Sequence, residues 1–359
     1  MILAILGRRD SPTDAIEDYC RLLGGAFKES GSDFKLTRVP WDKKGWLRAL
    51  INLWRESADW RQDWALVQYT ALTWSRRGFP TRFLLVLGVL RMHGVRTAVV
   101  FHDPQGFGGS RFVDRVRRTC QRAVMNWTCR FSDASIITIP LEQITWLPYP
   151  HRKATFIQTC ATLPAVGAEG RFLRTRNEVK TITVFAVTDG GDNSREVADI
   201  SLAARRAAEH LPHVRLVTIG RGSARSEFMF REALKGSSVE FSALGILPAE
   251  EISRVIADSD VSLFVRGPIT TQRSSAIASI ANAVPLVAYS DPSPPASIAE
   301  AGVVCVPYLD GEKLAEATVR VLTDPQLWRD LHERSVRAQK NYFSSEAVAN
   351  RFLDILHNA

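Results

Sequence analysis

The stretch LPAEEISRVIADSDVSLFVRGPITTQRSSAIASIANAVPLVAY, residues 247–289, decides the fold. It reads as helix, buried strand, polar loop, helix and buried strand, with no long gap. Residues 259–265 form a short apolar run with an acidic entry, the pattern of a parallel strand covered on both faces. The polar loop 266–275 then empties into a helix carrying Ile277, Ile280 and Ala281 on one side. A loop that leaves the carboxyl end of a parallel strand and opens into a helix N-terminus is where open α/β sheets take anionic ligands.

The alternation extends both ways. Upstream lie a strand at 181–187, a helix at 194–210, a strand at 214–219, a helix at about 225–235 and a strand at Val239-Glu240-Phe241. Downstream, AEAGVVCVP (299–307) adds a helix and a strand, and helices follow near 311–323, 325–340 and 344–357. The first half has strands at 2–6, 34–39, 65–69, 97–101 and 135–139. Its helices run from about Thr13 to Ser30, with Thr13 as cap and Ile16, Tyr19, Cys20 and Leu23 as buried stripe, then 41–60, near 79–93 and 111–131. Residues 162–178 have the composition of a linker. A chain of 359 residues exceeds one comfortable core. The expectation is therefore α/β throughout: two doubly wound, Rossmann-like domains, 1–165 and 178–340, facing each other across a cleft, with 341–359 packing back toward the first.

Apolar content of 45% and charged content of 23% suit a globular protein. No window approaches ~20 uninterrupted apolar residues, and the start is too short for a signal peptide. Five scattered cysteines form no Cys-x-x-Cys pair and read as reduced thiols of a cytoplasmic protein. The net charge of +8 is uneven: residues 1–165 hold 24 Lys+Arg against 14 Asp+Glu, residues 166–359 hold 22 against 24. The basic half is the one suited to an anionic surface. Lys43, Lys44, Arg48 and Arg55 lie beside Trp46, Leu47, Leu50 and Trp54 on one helix there, and Arg111, Arg115, Arg118 and Arg122 run along another, with Phe112, Val116, Cys120, Val124 and Trp127 interleaved. Such helices suit an anionic membrane or acceptor surface, with ordinary core stripes as the plain alternative. No nucleic-acid module is present, so nucleic acid is not an expected partner.

His102-Asp103 follows the strand ending at Phe101 and precedes a Gly-rich loop, so an imidazole oriented by its neighbouring carboxylate is expected at a strand's carboxyl edge. Asp189, Asn193 and Arg195 follow the strand 181–187, with Asn193 or Ser194 expected to cap the next helix. Gly220 and Arg221 end the strand 214–219. Arg266, Thr270, Thr271, Gln272, Arg273, Ser274 and Ser275 make the strongest candidate: free backbone N–H groups at 274–277, hydroxyls and guanidinium groups form a diphosphate cradle. Asp258-Ser259-Asp260 falls at the amino edge of its strand, away from the ligand side, so no metal is expected there.

With these motifs the chain resembles the GT-B glycosyltransferases, specifically the large retaining family 4, over nearly its whole length. The matching pieces are Val67-Gln68-Tyr69, Val99-Val100-Phe101-His102-Asp103, Ser132-Asp133-Ala134-Ser135-Ile136-Ile137, 216–220 with Gly222, Val239-Glu240-Phe241 with Leu244-Gly245, Asp258-Ser259-Asp260-Val261 and Asn282-Ala283-Val284-Pro285-Leu286-Val287-Ala288. Three family features are missing. The two glutamates eight residues apart fall at Thr270 and Ala278, no lysine occurs within 189–195, and Ser11-Pro12-Thr13-Asp14 replaces the Gly-Gly turn. The resemblance implies a hexosyltransferase that takes a UDP- or GDP-linked sugar and needs no metal or other cofactor. The acceptor it implies is a glycan or lipid-linked molecule of bacterial surface polysaccharide or glycoconjugate synthesis, at the cytoplasmic face of the membrane. Donor binding then shifts onto Arg195, Arg221 and Arg273. The alternatives are a catalytically silent homologue that binds a glycan or partner subunit, and an epimerase on the same fold.

Overall fold

A computed structural model describes residues 1–10, 14–147, 153–166, 178–189 and 192–359. The chain divides into two compact units, 1–160 with 345–359, and 161–344. The first unit thus ends five residues before the expected boundary at 165, most of the expected linker lies outside the described residues, and the returning segment begins at Ser345.

In the first unit the elements are β1 (Ile2–Leu6), α1 (Ala15–Glu29), β2 (Phe34–Arg38), α2 (Trp41–Lys44), α3 (Trp46–Ser57), β3 (Trp64–Tyr69), α4 (Ala71–Trp74), α5 (Phe83–Met92), β4 (Arg96–Phe101), α6 (Phe112–Phe131), β5 (Ala134–Ile137) and β6 (Ala154–Phe156). The six strands form one parallel sheet in the order β2-β1-β3-β4-β5-β6. Alternate strand residues feed opposite cores, as a period of two requires. Leu3, Ile5, Val67, Val99 and Phe101 meet Phe83, Val86, Leu90 and Val124 on one face. Ile2, Ala4, Leu66, Ala98 and Ile136 meet Tyr19, Leu23 and Phe27 of α1 on the other.

The second unit runs β7 (Val179–Phe185), α7 (Ser194–His210), β8 (His213–Ile219), α8 (Arg221–Arg225), α9 (Glu227–Ala233), β9 (Glu240–Gly245), α10 (Ala249–Ala257), β10 (Val261–Phe264), α11 (Ser274–Ala281), β11 (Leu286–Ser290), α12 (Ala296–Ala299), β12 (Val303–Pro307), α13 (Gly311–Thr323) and α14 (Pro325–Ala338). Its parallel sheet has the order β12-β11-β10-β7-β8-β9. All four residues of β10 are buried. Asp260 anchors the amino end of β7, accepting from Lys180 Nζ and the Thr181 N–H at 2.8 Å each.

Local differences from the sequence reading have local causes. The expected helix 41–60 breaks at Gly45, whose φ of +75° no helix interior takes. The expected helix near 225–235 is two short helices meeting at Ser226. The cap of α1 is Asp14, which accepts from the Glu17 N–H at 3.1 Å, and Thr13 lies outside the described residues.

The last helix, α15 (Ser345–Asn358), belongs to the first unit, where Val348, Ala349, Phe352 and Leu356 complete the core beside α1. Phe352 meets Phe27 edge-on at 6.3 Å and is fully buried. Phe352→Ala is expected to cost the first unit about 3–5 kcal/mol. Eight of the nine tryptophans lie in that unit, so urea titration followed by tryptophan fluorescence reads the loss directly; an unchanged midpoint contradicts it.

Candidate functional site

In a parallel sheet the crevice for a ligand opens where strand order reverses, because neighbouring crossovers there depart to opposite faces. The first sheet reverses between β1 and β3, the second between β7 and β10. The turns at those points, and the turn of the strand beside each, carry the candidate residues.

In the first unit, Gly7 leaves β1 against α4. A Cβ there would stand 2.4 Å from the Thr73 carbonyl oxygen, which also accepts from the Arg8 N–H and from Trp41 Nε1, each at 2.9 Å. Arg38, at the end of β2, reaches across: Nη2 donates to Asp14 Oδ2 at 2.7 Å and Glu17 Oε2 at 2.6 Å, and Nη1 to the Gly7 carbonyl at 3.0 Å. Arg21 adds a second donor pair to Glu17. Hydrogen bonds from Arg21 and then Arg38 hold the Glu17 carboxyl below the usual carboxylate range.

His102 stands half-buried just past β4, edge-on to Tyr19 at 5.3 Å. Its Nε2 lies 2.7 Å from Gln68 Oε1, and Gln68 Nε2 donates to the Leu66 carbonyl at 3.2 Å. That second bond assigns Oε1 as acceptor, so the imidazole carries its proton on Nε2 and Nδ1 is the accepting nitrogen. Desolvation lowers the His102 pKa to about 4, against an opposing attraction to Asp14. At neutral pH the ring is uncharged. Gln68, not Asp103, orients the ring, which corrects the sequence expectation. Asp103 is exposed, and the crowding of its loop raises its carboxyl against the pull of the Gly106 N–H.

The Asp103 loop is fastened to α6. Gln121 Oε1 accepts from the Phe107 N–H at 2.8 Å, and Gln121 Nε2 donates to the Gly78 carbonyl at 2.9 Å. Arg117 lies over the Phe107 ring at 4.5 Å and pairs with Asp114 at 3.2 Å. Of the expected surface cations, Lys43, Lys44, Arg48, Arg111 and Arg115 are exposed. Arg118 and Arg122 are half-buried, and Arg118 donates to the Gly109 carbonyl at 3.3 Å. Phe112, Val116 and Trp127 face solvent at 79%, 45% and 49%, whereas Val124 joins the core and Cys120 packs against it.

In the second unit the loop after β7 is occupied by its own contacts. Asp189 pairs with Arg225 at 2.6 Å. Asn193 donates to the Thr188 carbonyl and to Ser226 Oγ, so it caps nothing, and Ser194 bonds Asp192 instead. Arg195 donates to the Leu309 carbonyl and pairs with Asp199 at 3.7 Å. In the free chain Asp189, Asn193 and Arg195 are thus engaged within the fold rather than unpaired. Gly220 takes φ +105°, and a Cβ on Gly222 would sit 2.3 Å from the Val187 carbonyl oxygen. The Gly-x-Gly turn therefore closes this loop against its neighbour. Gly190 and Gly191 lie outside the described residues.

The loop after β10 differs. Arg266 and Arg273 are both exposed, neither forms an ion pair among the described residues, and no carboxylate acts on Arg273. The Arg273 guanidinium folds back over Gly267, 3.7 Å from where a Cβ would stand, and lies 5.9 Å from the Phe264 ring. Desolvation, then repulsion from Arg266, lowers its pKa. Arg273 is also the N-cap residue of α11 and makes no side-chain cap bond. The cradle is narrower than expected, since the N–H groups of Ser274, Ala276 and Ile277 bond to carbonyls of residues 272 and 273. Thr271 is wholly buried, whereas Thr270, Gln272, Ser274 and Ser275 reach the surface. Arg221 is exposed at the start of α8.

The chain matches no protein-family model. It matches no curated protein sequence either. It is similar in structure to HepE of Anabaena, solved with UDP and glucose, at a TM-score of 0.65 and 12% identity over the full length of both chains. A glycosyltransferase from Rickettsia africae superposes with a TM-score of 0.64 and 14% identity, over 99% of this chain and 97% of that one. MnaA of S. aureus, solved with UDP, gives 0.59 and 12% identity over 98% and 94%. Such identities speak to fold, and the fold is GT-B.

Two consequences are measurable. Arg38→Met leaves the buried Asp14 without a guanidinium and Glu17 with Arg21 and, farther off, Arg9, and is expected to destabilise the first unit by roughly 3 kcal/mol in urea at neutral pH. His102, neutral in the folded state down to about pH 4 but protonated below 6.5 when unfolded, contributes stability that is complete above pH 6.5 and is lost as pH falls toward 4. His102→Asn should therefore gain stability relative to wild type as pH drops through that window. A constant difference between the two proteins overturns the assignment.

Proposed function

We propose that the protein is a glycosyltransferase that moves a hexose from a UDP- or GDP-linked donor to a glycan or lipid-linked acceptor, with retention of configuration and without a metal. The observation that carries this reading is the pair Arg266 and Arg273 beside the N-terminus of α11, at the point where the second sheet reverses. Two guanidinium groups with no carboxylate between them repel each other in the free protein, and a diphosphate relieves that repulsion with charge-assisted hydrogen bonds. When the bond from the anomeric carbon to the donor phosphate breaks, negative charge grows on the departing diphosphate. Fixed cations and N–H dipoles stabilise that charge most where water is excluded. Arg221 is the third cation of this reading, and Thr270, Gln272, Ser274 and Ser275 are the hydroxyl and amide partners.

In the first unit, His102 and Asp103 would position sugar hydroxyls at the reaction centre. The basic surface of this unit fits an acceptor carried at an anionic membrane, in surface polysaccharide or glycoconjugate synthesis at the cytoplasmic face. A second reading, a catalytically silent homologue that binds a glycan or a partner subunit, is favoured by one fact: Asp189, Asn193 and Arg195 are already engaged within the fold.

Calorimetry separates the two. Wild-type protein titrated with UDP- and GDP-sugars is expected to give saturable heat with one of them. Arg266→Ala and Arg273→Ala should each weaken it at least tenfold, about 1.4 kcal/mol. Absence of saturable heat with any donor supports the silent reading, and unchanged affinity in both variants removes this loop from the site.

A further inference from the structure

The first unit turns an apolar helix outward. From Phe83 to Leu90, α5 contains no polar side chain. Its inner residues Phe83, Val86, Leu87 and Leu90 fill the core, which leaves Leu85 at 52% and Met92 at 67% exposed on the other side. Residues 85, 89 and 92 share one face by their helical spacing. A helix at a protein surface ordinarily keeps that outer face polar.

Helix α3 lies alongside and repeats the anomaly. It buries Ala49, Leu53 and Ser57, and exposes Leu47 at 74%, Ile51 at 43% and Trp54 at 43%. Between the two helices runs a groove of about 250 Å3, lined by Leu47, Leu50, Ile51, Trp54, Arg55 and Val89. Exposed apolar surface in one continuous patch marks a surface that meets something.

The charge around the patch says what. Lys43, Lys44, Arg48 and Arg55 flank or belong to α3, and Arg82 and Arg91 stand at the ends of α5. Not one Asp or Glu occurs from Trp64 to His102, and Glu56 is the one acid of α3. A second copy of the chain would bring the same positive rim against itself, which like-charge repulsion disfavours. Among the described residues no helix is long and apolar enough to cross a membrane. A short apolar face rimmed by cations suits an element lying in the plane of an anionic bilayer.

We propose that the α3–α5 face lies on an anionic bilayer, with Leu47, Trp54, Leu85 and Met92 among the acyl chains and the flanking lysines and arginines at the level of the phosphates. This deepens the membrane-borne acceptor of the proposed function, and rests on that reading only for the acceptor's identity. The face is built by α3 and α5, whereas the sequence pointed to the helix at 41–60 together with the one at 111–131 and did not single out α5.

The test is flotation of the full chain with phosphatidylcholine vesicles containing a minor share of phosphatidylglycerol, and with phosphatidylcholine alone. Wild type is expected to float with the anionic vesicles and to detach as salt is raised. Two apolar variants, Leu47→Ser combined with Met92→Ser, and Leu85→Glu alone, change exposed positions; each should bind at least tenfold more weakly with an unaltered urea midpoint. Arg82→Gln combined with Arg91→Gln should weaken binding similarly. Apolar variants that float like wild type reduce the contact to charge alone and overturn the proposal, as does wild type that floats with neither vesicle. A dimer in sedimentation velocity that Leu47→Ser abolishes assigns the face to a second copy and likewise overturns it. Donor calorimetry on the same preparations keeps the outcomes apart: lost flotation with donor heat intact concerns this face, and lost donor heat with flotation intact concerns the transferase reading.

Discussion

A parallel strand hands its chain over at one edge only, and that constraint governs where this protein can do chemistry. Every βα turn of a sheet emerges at the same carboxyl edge, and strand order reverses once in each sheet, between β1 and β3 and between β7 and β10. Crossovers on either side of a reversal depart to opposite faces, so their turns part and leave a crevice. The turns must then be held without side-chain bulk. Gly7 does so against the Thr73 carbonyl and Gly222 against the Val187 carbonyl, each at a distance that no Cβ tolerates.

Charge is distributed over these turns in two different ways. In the first unit Arg38 is closed in by Asp14 and Glu17, with a carbonyl taking its remaining fork. That arrangement ties the end of β2 to the start of α1 and leaves little for a ligand. The loop after β7 is similar: Arg195 is taken up by Asp199, which itself accepts from the Tyr289 hydroxyl at 2.6 Å. Arg266 and Arg273 lack any such closure among the described residues. A cation compensated inside the fold contributes to the fold, whereas one left beside a like charge gains most from an anion that arrives from outside.

This distinction also marks where the sequence could be read. Strands such as ILAIL and VSLF are legible because burial on both faces demands an unbroken apolar run, and the alternation with helices then dictates a parallel sheet. Strand β6, with three residues and none fully buried, leaves no such trace. The position of His102 at a strand end is legible from local pattern alone. Its partner Gln68 is not, because it sits on the adjacent strand 34 positions away, while the neighbour in sequence, Asp103, offers a plausible carboxylate. Likewise, nothing local says that Arg195 finds a carbonyl 114 positions away or that Asp189 finds Arg225. Long-range pairing decides which charges remain available, and the sequence lists only the charges.

Helix α6 shows how such pairing can divide a helix's inner face between polar and apolar tasks. Of its apolar series, Val124 is buried and Cys120 half-buried, yet Phe112, Val116 and Trp127 point to solvent, while Asp114 and Gln121 are turned inward. At the positions of Asp114 and Gln121 the inner face has a task that apolar residues cannot perform. The loop bearing Asp103 and the turn at Gly78 each present a backbone group that needs a partner, and the Gln121 amide supplies one acceptor and one donor to them. Asp114 meanwhile accepts from the Arg111 N–H at 3.2 Å and pairs with Arg117. Burying an amide is costly unless its hydrogen bonds are made, and here one oxygen and one nitrogen each find a backbone partner. Further along, the same inner face carries Val124, Met125 and Cys129 into the core, and the 3.6-residue turn places Phe112, Val116 and Trp127 on the opposite side. The exposed ring of Phe112 is thus the geometric counterpart of a fixed His102-Asp103 loop.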